Sequence, residues 1–554
     1  MFKTWPRIFI CLLNFSVMVS CGVSKSLEDR PDVSGYNQTK PQREKINDSV
    51  YSIENNYLTK NYQGQWELYV SGDPYHRGLV TGALTEELFQ YQETAFFGKV
   101  ETLVPSKFKQ YLLRKILAWY NRKMYLYIPE EYKAEILGLS KYAGDTYDEI
   151  ASPYMRVLYL HGAHDIGHAM QDLALVGCSS FAVWGDKTDD GSLLIGRNFD
   201  FYAGDDFSKN KIIEFVSPTD GYKFMSVTWA GMIGVTSGMN EQGLTVTINA
   251  GKSDIPWVAK TPISIVTREI LQYASNIEDA IAIAKKRAVF VSESIFVGSA
   301  NDKKAVLIET SPENFGVYEV ENTDQLICTN HFQSEAYAND ERNTEHIQDS
   351  HSQYRYERLE ELLSEHTVVT PQIAAGILRN TKGLNNATIG YGNEKALNQL
   401  LAHHAIIFKP EQRLVWVSSN PYQLGAFVAY DLNKVFAKAP NNNNHSSMQE
   451  TNLLIEKDPF IYSEAYKNYQ LYRQLSKNVS EAIKEKETIS PNTLKELQAS
   501  NPDFWEVYYL TGQYYEQKGY DKAAVLAYEK ALTKEVTTRN DREAIEHHLK
   551  KLKK

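Results

Sequence analysis

Cysteine is scarce in this chain. Four cysteines stand in 554 residues, at positions 11, 21, 178 and 328, too few and too scattered for a disulfide framework. No two have CxxC spacing, which leaves no visible thiolate zinc site, and the HExxH pattern is missing as well. The apolar run from Ile8 to Val19 is too short to span a bilayer. Charge of one sign is also lacking. Lys and Arg number 59 and Asp and Glu 69, a net charge of −10 with the signs interspersed, which argues against nucleic acid as a main partner. What is present is ordinary globular composition, 43% hydrophobic and 23% charged, over a length suited to roughly two to four domains.

The start of the chain, MFKTWPRIFICLLNFSVMVSCGVSK, places Lys3 and Arg7 before the apolar run and small residues after it. That order is expected of a secretory signal, not of a transmembrane helix. MVSC resembles a bacterial lipobox, which would make Cys21 the lipidated first residue of the mature chain. It implies a lipid-anchored protein of the bacterial cell envelope, with an ordinary cleaved signal as the alternative. The polar stretch behind it reads as a flexible tether. Residues 1–20 are thus expected to be signal and 21–65 tether.

From residue 66 to 177 the pattern is mostly helical. PEEYKAEILGLSKYAG carries Pro and acidic residues at its start and Gly at its end. From Cys178 to about 435, short alternating runs such as KFMSVTWA, LTVTINA and KAVLIET are bounded by Gly, Asn, Asp and Pro, the mark of strands and hairpins. Helical patterns interrupt them, giving an α/β arrangement with largely antiparallel strands. APNNNNHSSMQET reads as a linker, 436–455. Residues 456–554 are helical again, and Leu510, Gly512, Tyr515, Gly519, Ala523, Tyr528 and Ala531 resemble one tetratricopeptide repeat. A lone repeat cannot bury its own face and must pack on neighbouring helices or the main domain. Such a helical tail is a possible surface for a protein partner.

The stretch ALVGCSSFAVWGDKTDDGSLLIGRNFDFY puts Cys178 after Gly177, at the head of the first strand, and ends the next strand in Arg197 and Asp200. A cysteine nucleophile needs a base, and no histidine is an obvious one. A nucleophile at a chain's own N-terminus can use its α-amine instead, whose reference pKa of about 7.7–8.0 suits neutral-pH proton transfer. Cys178 gains that amine only if the Gly177–Cys178 bond is cut. This order of motifs resembles the N-terminal-nucleophile hydrolases, in particular the penicillin acyltransferase (peptidase C45) family and, more distantly, the choloylglycine hydrolases. The resemblance runs from about Gly72 to Phe427 and includes GDPYHRGLVTGAL, SGMNEQGLTVTINAG and LICTNHF.

The resemblance implies a four-layer αββα sandwich, preceded by a helical pro-segment, and an acyl-transfer reaction without a cofactor. It implies Cys178 as nucleophile and, through its freed amine, base. Asp200 would hold that amine, and Arg197 would lower the thiol's pKa. Asn249 would help form the oxyanion hole, and Asn330 would be a second polar group facing the nucleophile. Arg355 in DSHSQYRYERLEELL would be a site arginine, with Arg358 as its rival on the same helix. Taken singly these residues have plainer readings: a strand cysteine is usually inert packing, and such arginines usually face solvent. Cys328 is expected to be a buried strand residue. A rival site is His161, His164 and His168, one helix face that could bind zinc. His403 and His404 read as a strand start. The expected substrate is a small N-acyl amide. The alternatives are a bile-salt-hydrolase-like amidase, which needs a wide apolar pocket beside Cys178, and a non-catalytic envelope lipoprotein.

Overall fold

The computed structural model describes residues 22–162, 165, 177–202, 204–253, 256 and 258–554. Two sheets lie face to face. The larger has 11 strands, in the order Glu44–Asn47, Val50–Ile53, Asn56–Lys60, Trp66–Gly72, Ile212–Pro218, Phe224–Thr228, Ser237–Asn240, Leu244–Ala250, Glu293–Ser299, Lys304–Thr310 and Phe315–Tyr318. The smaller has six, in the order Gln325–Cys328, Ser179–Val183, Leu194–Phe199, His404–Lys409, Leu414–Ser418 and Phe427–Asp431. Pairing is antiparallel except where Trp66–Gly72 runs parallel to Ile212–Pro218.

Alternation along the strands builds the layers. In Leu244–Ala250, the apolar Leu244, Val246 and Ile248 face helices Ile263–Tyr273 and Ile277–Lys286, in a core shared with Pro74–Leu84 and Glu130–Ser140. Phe296 and Leu307 of the large sheet meet Ile195, Ile406 and Val417 of the small one in the inter-sheet core. On the far face of the small sheet, Phe181, Leu194 and Ile407 pack under Leu359 and Leu378 of helices Ser352–Ser364 and Pro371–Leu378. The result is helix, sheet, sheet, helix, the expected αββα sandwich.

Three expected boundaries move. The tether ends early, because Glu44 to Lys60 forms three edge strands, with Tyr57 and Leu58 buried. Their alternation was masked by polar neighbours. The pro-segment opens on a strand, Trp66–Gly72, so this part of the chain completes the large sheet instead of merely covering it. The polar linker is tied down: buried Glu67 accepts from the Ser447 hydroxyl at 2.8 Å and the Met448 N–H at 2.9 Å. A carboxylate inside the protein needs such donors, and the linker supplies them. Beyond it, helices Glu464–Glu485, Pro491–Ser500, Trp505–Gln517, Asp521–Leu532 and Arg539–Leu552 share one core with Leu400, Tyr422 and Leu424 of the main domain. Gly512 lets two of these helices close up, since a Cβ there would lie 2.5 Å from the Tyr528 ring.

Candidate active site

Cys178 stands at the head of strand Ser179–Val183, where Ser179 pairs with Asn198 and Ser180 with Arg197. The Gly177 N–H donates to the Asp200 carbonyl at 3.0 Å, so the ladder continues past the cysteine and fixes it between the sheets. The thiol is fully buried among Phe199, Phe201 and Phe207. Burial pushes its pKa up to about 11, with the Arg197 charge pulling the other way. Arg197 reaches across from the small sheet. Its Nη2 lies 3.7 Å from the Cys178 Sγ and also donates to the Ile248 carbonyl. Its Nη1 donates to the Ser237 hydroxyl at 2.5 Å and the Thr236 carbonyl at 3.2 Å.

Asp200 is the anomaly of the site. It is fully buried, and neither carboxylate oxygen has a hydrogen-bond partner among the described residues. Burial raises its pKa to about 8 against the opposing charges of Arg355 and Arg197. A buried carboxylate without donors is unfavourable by several kcal/mol, about the magnitude usual for an uncompensated buried charge.

Arg355 and Arg358 are both fully buried, but only Arg355 turns to the cysteine. It donates to the Cys178 carbonyl, to the Ser179 hydroxyl at 2.8 Å and to the Asn330 Oδ1 at 2.6 Å. Arg358 binds Glu361 at 2.7 Å and Asn386 at 2.6 Å instead. Asn249 and Asn330 both reach the site with their side-chain amides already donating to backbone carbonyls. Asn249 donates to the Cys328 and Thr329 carbonyls at 3.3 and 3.1 Å and accepts from Ser180 at 2.9 Å. Asn330 donates to the Ala250 carbonyl at 3.0 Å. In the uncut chain both therefore act as braces. Cys328 is buried in the inter-sheet core.

One residue escaped the sequence reading. Gln399 Nε2 donates to the Gly177 carbonyl at 3.3 Å, across 222 positions of sequence. It also explains the glycine, because a Cβ at 177 would lie 2.6 Å from that nitrogen. No local motif could have announced it.

The zinc alternative gains no support. His161 is buried, accepts from the Ile233 N–H at 3.0 Å and bonds the Val157 carbonyl at 2.8 Å, so both ring nitrogens are engaged. Burial lowers its pKa to about 4. His164 and His168 lie outside the described residues, as does Cys21. His404 opens a strand, as expected, and its ring continues the site: Nε2 lies 2.9 Å from the Ser237 hydroxyl and Nδ1 2.9 Å from Nδ1 of His403.

An apolar cleft adjoins the thiol. Phe96, Phe201, Phe207, Trp229 and Met232 line it, and it encloses a cavity of about 30 Å³. Phe201 and Phe207 are shared with the cluster around Cys178.

Residues 186–421 match the family model of acyl-coenzyme A:6-aminopenicillanic acid acyl-transferase. The match holds Arg197, Asp200, Asn249, Asn330, Arg355 and Gln399 and begins after Cys178. An uncharacterized protein of Archaeoglobus fulgidus is 28% identical over 281 residues, 47% of this chain and 46% of that one. Protein dcd1B of Dictyostelium discoideum is 22% identical over 280 residues, 46% of this chain and 52% of that one. The chain thus spans about half the length of the curated relatives it matches. Among solved structures, the Caenorhabditis elegans ortholog of N-acylethanolamine-hydrolyzing acid amidase aligns at 17% identity and a TM-score of 0.30, covering 42% of this chain and 93% of that one. A mutant conjugated bile acid hydrolase from Clostridium perfringens aligns at 15% and 0.32, covering 46% and 93%. Likenesses at that level carry no argument. Over residues 186–421 the double-sheet domain is similar to that acyl-transferase family, and its paired sheets between helix layers form the αββα sandwich expected of the N-terminal-nucleophile hydrolases.

Proposed function

We propose that the chain is an autoprocessing cysteine amidase or acyltransferase acting on small N-acyl amides. The observation that carries the reading is Asp200, a buried carboxylate with no hydrogen-bond partner among the described residues, beside the Gly177–Cys178 bond. Cutting that bond supplies what is missing, an α-ammonium on Cys178.

In maturation the Cys178 sulfur attacks the Gly177 carbonyl carbon, and the Gln399 amide stabilises the oxygen as charge builds on it. As the C–N bond breaks, the thiol proton passes to the leaving nitrogen and the acyl group ends on sulfur; water then cleaves the thioester and restores the thiol. Gly177 leaves as a carboxylate and Cys178 keeps a free amine. In turnover that amine takes the thiol proton, with Asp200 orienting it and Arg197 favouring the thiolate. The thiolate attacks the substrate carbonyl and the amine product departs with a proton. Water or a second amine then takes the acyl group from sulfur. The narrow aromatic cleft favours a slim acyl or aryl group over a steroid. Cys21 as a lipid anchor would hold the enzyme at the cell envelope, and the C-terminal helices would offer a face to a protein partner.

Denaturing mass spectrometry of purified protein tests the reading. A fragment ending at Gly177 and another beginning at Cys178 are expected. A single intact chain with full amidase activity would refute it.

A further inference from the structure

Behind the aromatic wall of the cleft lie two polar groups that the mechanism does not use. Lys211 directly precedes strand Ile212–Pro218. Ile212 pairs with Thr228 at the end of the ladder, and one step further the same register brings Lys211 opposite Trp229. Ile213 faces the inter-sheet core, and Lys211, two residues before it, lies on the same side of the zigzag. The lysine is 2% exposed, and its Nζ has no hydrogen-bond partner among the described residues. Burial lowers its pKa to about 7.

His403 is the second group. Its Nδ1 faces His404, but its Nε2 is buried without a partner among the described residues. Its ring centroid lies 5.3 Å from Trp229 and 6.0 Å from Phe207, both of which line the cleft. Burial holds His403 neutral, and the charges of Lys211 and Arg197 add to that. Across the same ring, Phe199 leads back to Cys178.

An ammonium buried without an anion is unfavourable by several kcal/mol, about the usual scale for an unpaired buried ion. Among the described residues Lys211 donates to no backbone or side-chain acceptor that would offset this. The missing partner is then most simply an anion brought by a ligand. We propose that Lys211 and His403 form a carboxylate-binding end to the aromatic cleft. The ligand taken there is amphiphilic, with an apolar body against Trp229 and Phe207 and a buried carboxylate at its inner end. This rests on the reading that the cleft beside Cys178 is the substrate cleft, and it narrows the substrate to an amide that carries such a group.

Calorimetric titration with 4-phenylbutyrate and its neutral isostere 4-phenylbutyramide tests the site without any turnover. The full-length protein should bind the carboxylate at least about tenfold more tightly, the scale of one charge-assisted hydrogen bond. Lys211→Met should erase that preference while leaving the amide's affinity unchanged, and His403→Phe should reduce it in part. The melting temperature of Lys211→Met should hold or rise. Equal affinities in the parent, a preference that survives Lys211→Met, or a marked loss of stability in that variant would each overturn the proposal. Because binding alone is read, failure of Cys178-dependent hydrolysis would remove the proposed function and leave a measured carboxylate preference standing.

Discussion

Replacing Asp200 by asparagine should stabilise the uncut protein while blocking its maturation. The carboxyl's pKa rises from the usual 3.8 to about 8 in the folded, uncut chain, so the folded state holds its proton more tightly than the unfolded one. With that sign, stability falls as pH rises between those two values, by up to about 1.4 kcal/mol per pH unit. From about pH 5 to about pH 7 the loss from this one group approaches 2.7 kcal/mol. Asparagine keeps the shape and cannot ionise, so the loss should vanish. The comparison belongs in a Cys178→Ala background, where both proteins stay uncut. Asp165 and Glu214, raised to about 8 and about 7 by burial, add slopes of the same sign, but they are present in both proteins and cancel. Urea unfolding at the two pH values should give a gap between the proteins that widens by roughly 1–3 kcal/mol, the lower figure allowing for relaxation around the charge. Parallel stability curves would refute the account of Asp200 as an unpaired buried carboxylate.

Other outcomes follow from the same geometry. Cys178→Ala should abolish both cleavage and turnover, read by denaturing mass spectrometry and amide hydrolysis. Gln399→Ala should slow maturation by about 10²–10³, the usual effect of losing one oxyanion donor, yet leave kcat of the cleaved fraction near the parent's. Arg355→Met should impair cleavage severely, whereas Arg358→Met, which loses only contacts to Glu361, Asn380 and Asn386, should leave kcat intact and lower stability by about 1–3 kcal/mol. Cys21→Ala should release the protein from the membrane fraction; unchanged membrane association would remove the anchor proposal.

Legibility in the sequence tracks locality. Cys178, Arg197 and Asp200 lie on one hairpin, and hairpin neighbours are close in sequence, so their order carried the signal. The arginine pair on helix Ser352–Ser364 was ambiguous because both face inward and only the packing separates them. Gln399 was invisible because nothing near it in sequence touches Gly177. The edge strands between Glu44 and Lys60 were hidden by polar composition. They form because a large sheet next to them offers unpaired backbone groups, a tertiary cause that no local window contains. The linker was misread for the same reason, since its role is set by the distant Glu67.

The uncut site is electrostatically unfinished, and this bears on why a chain would store it. Burial raises the Cys178 thiol to about 11 and the Asp200 carboxyl to about 8, and lowers Arg355 to about 10. The Cys178 thiol and the Asp200 carboxyl are both held against ionisation by burial, and a cation placed beside them would favour their charged forms. Cleavage as proposed would create that cation at the α-nitrogen of Cys178. The ammonium would pair with Asp200 and draw the thiol downward, adding to the pull of Arg197. The carboxylate formed on Gly177 would meet the Gln399 amide. On this account maturation and activation are one event. The features that make the uncut chain less stable are the ones that the cut chain needs in place, and a variant that relieves them beforehand, as Asp200→Asn does, gains stability by losing the chemistry.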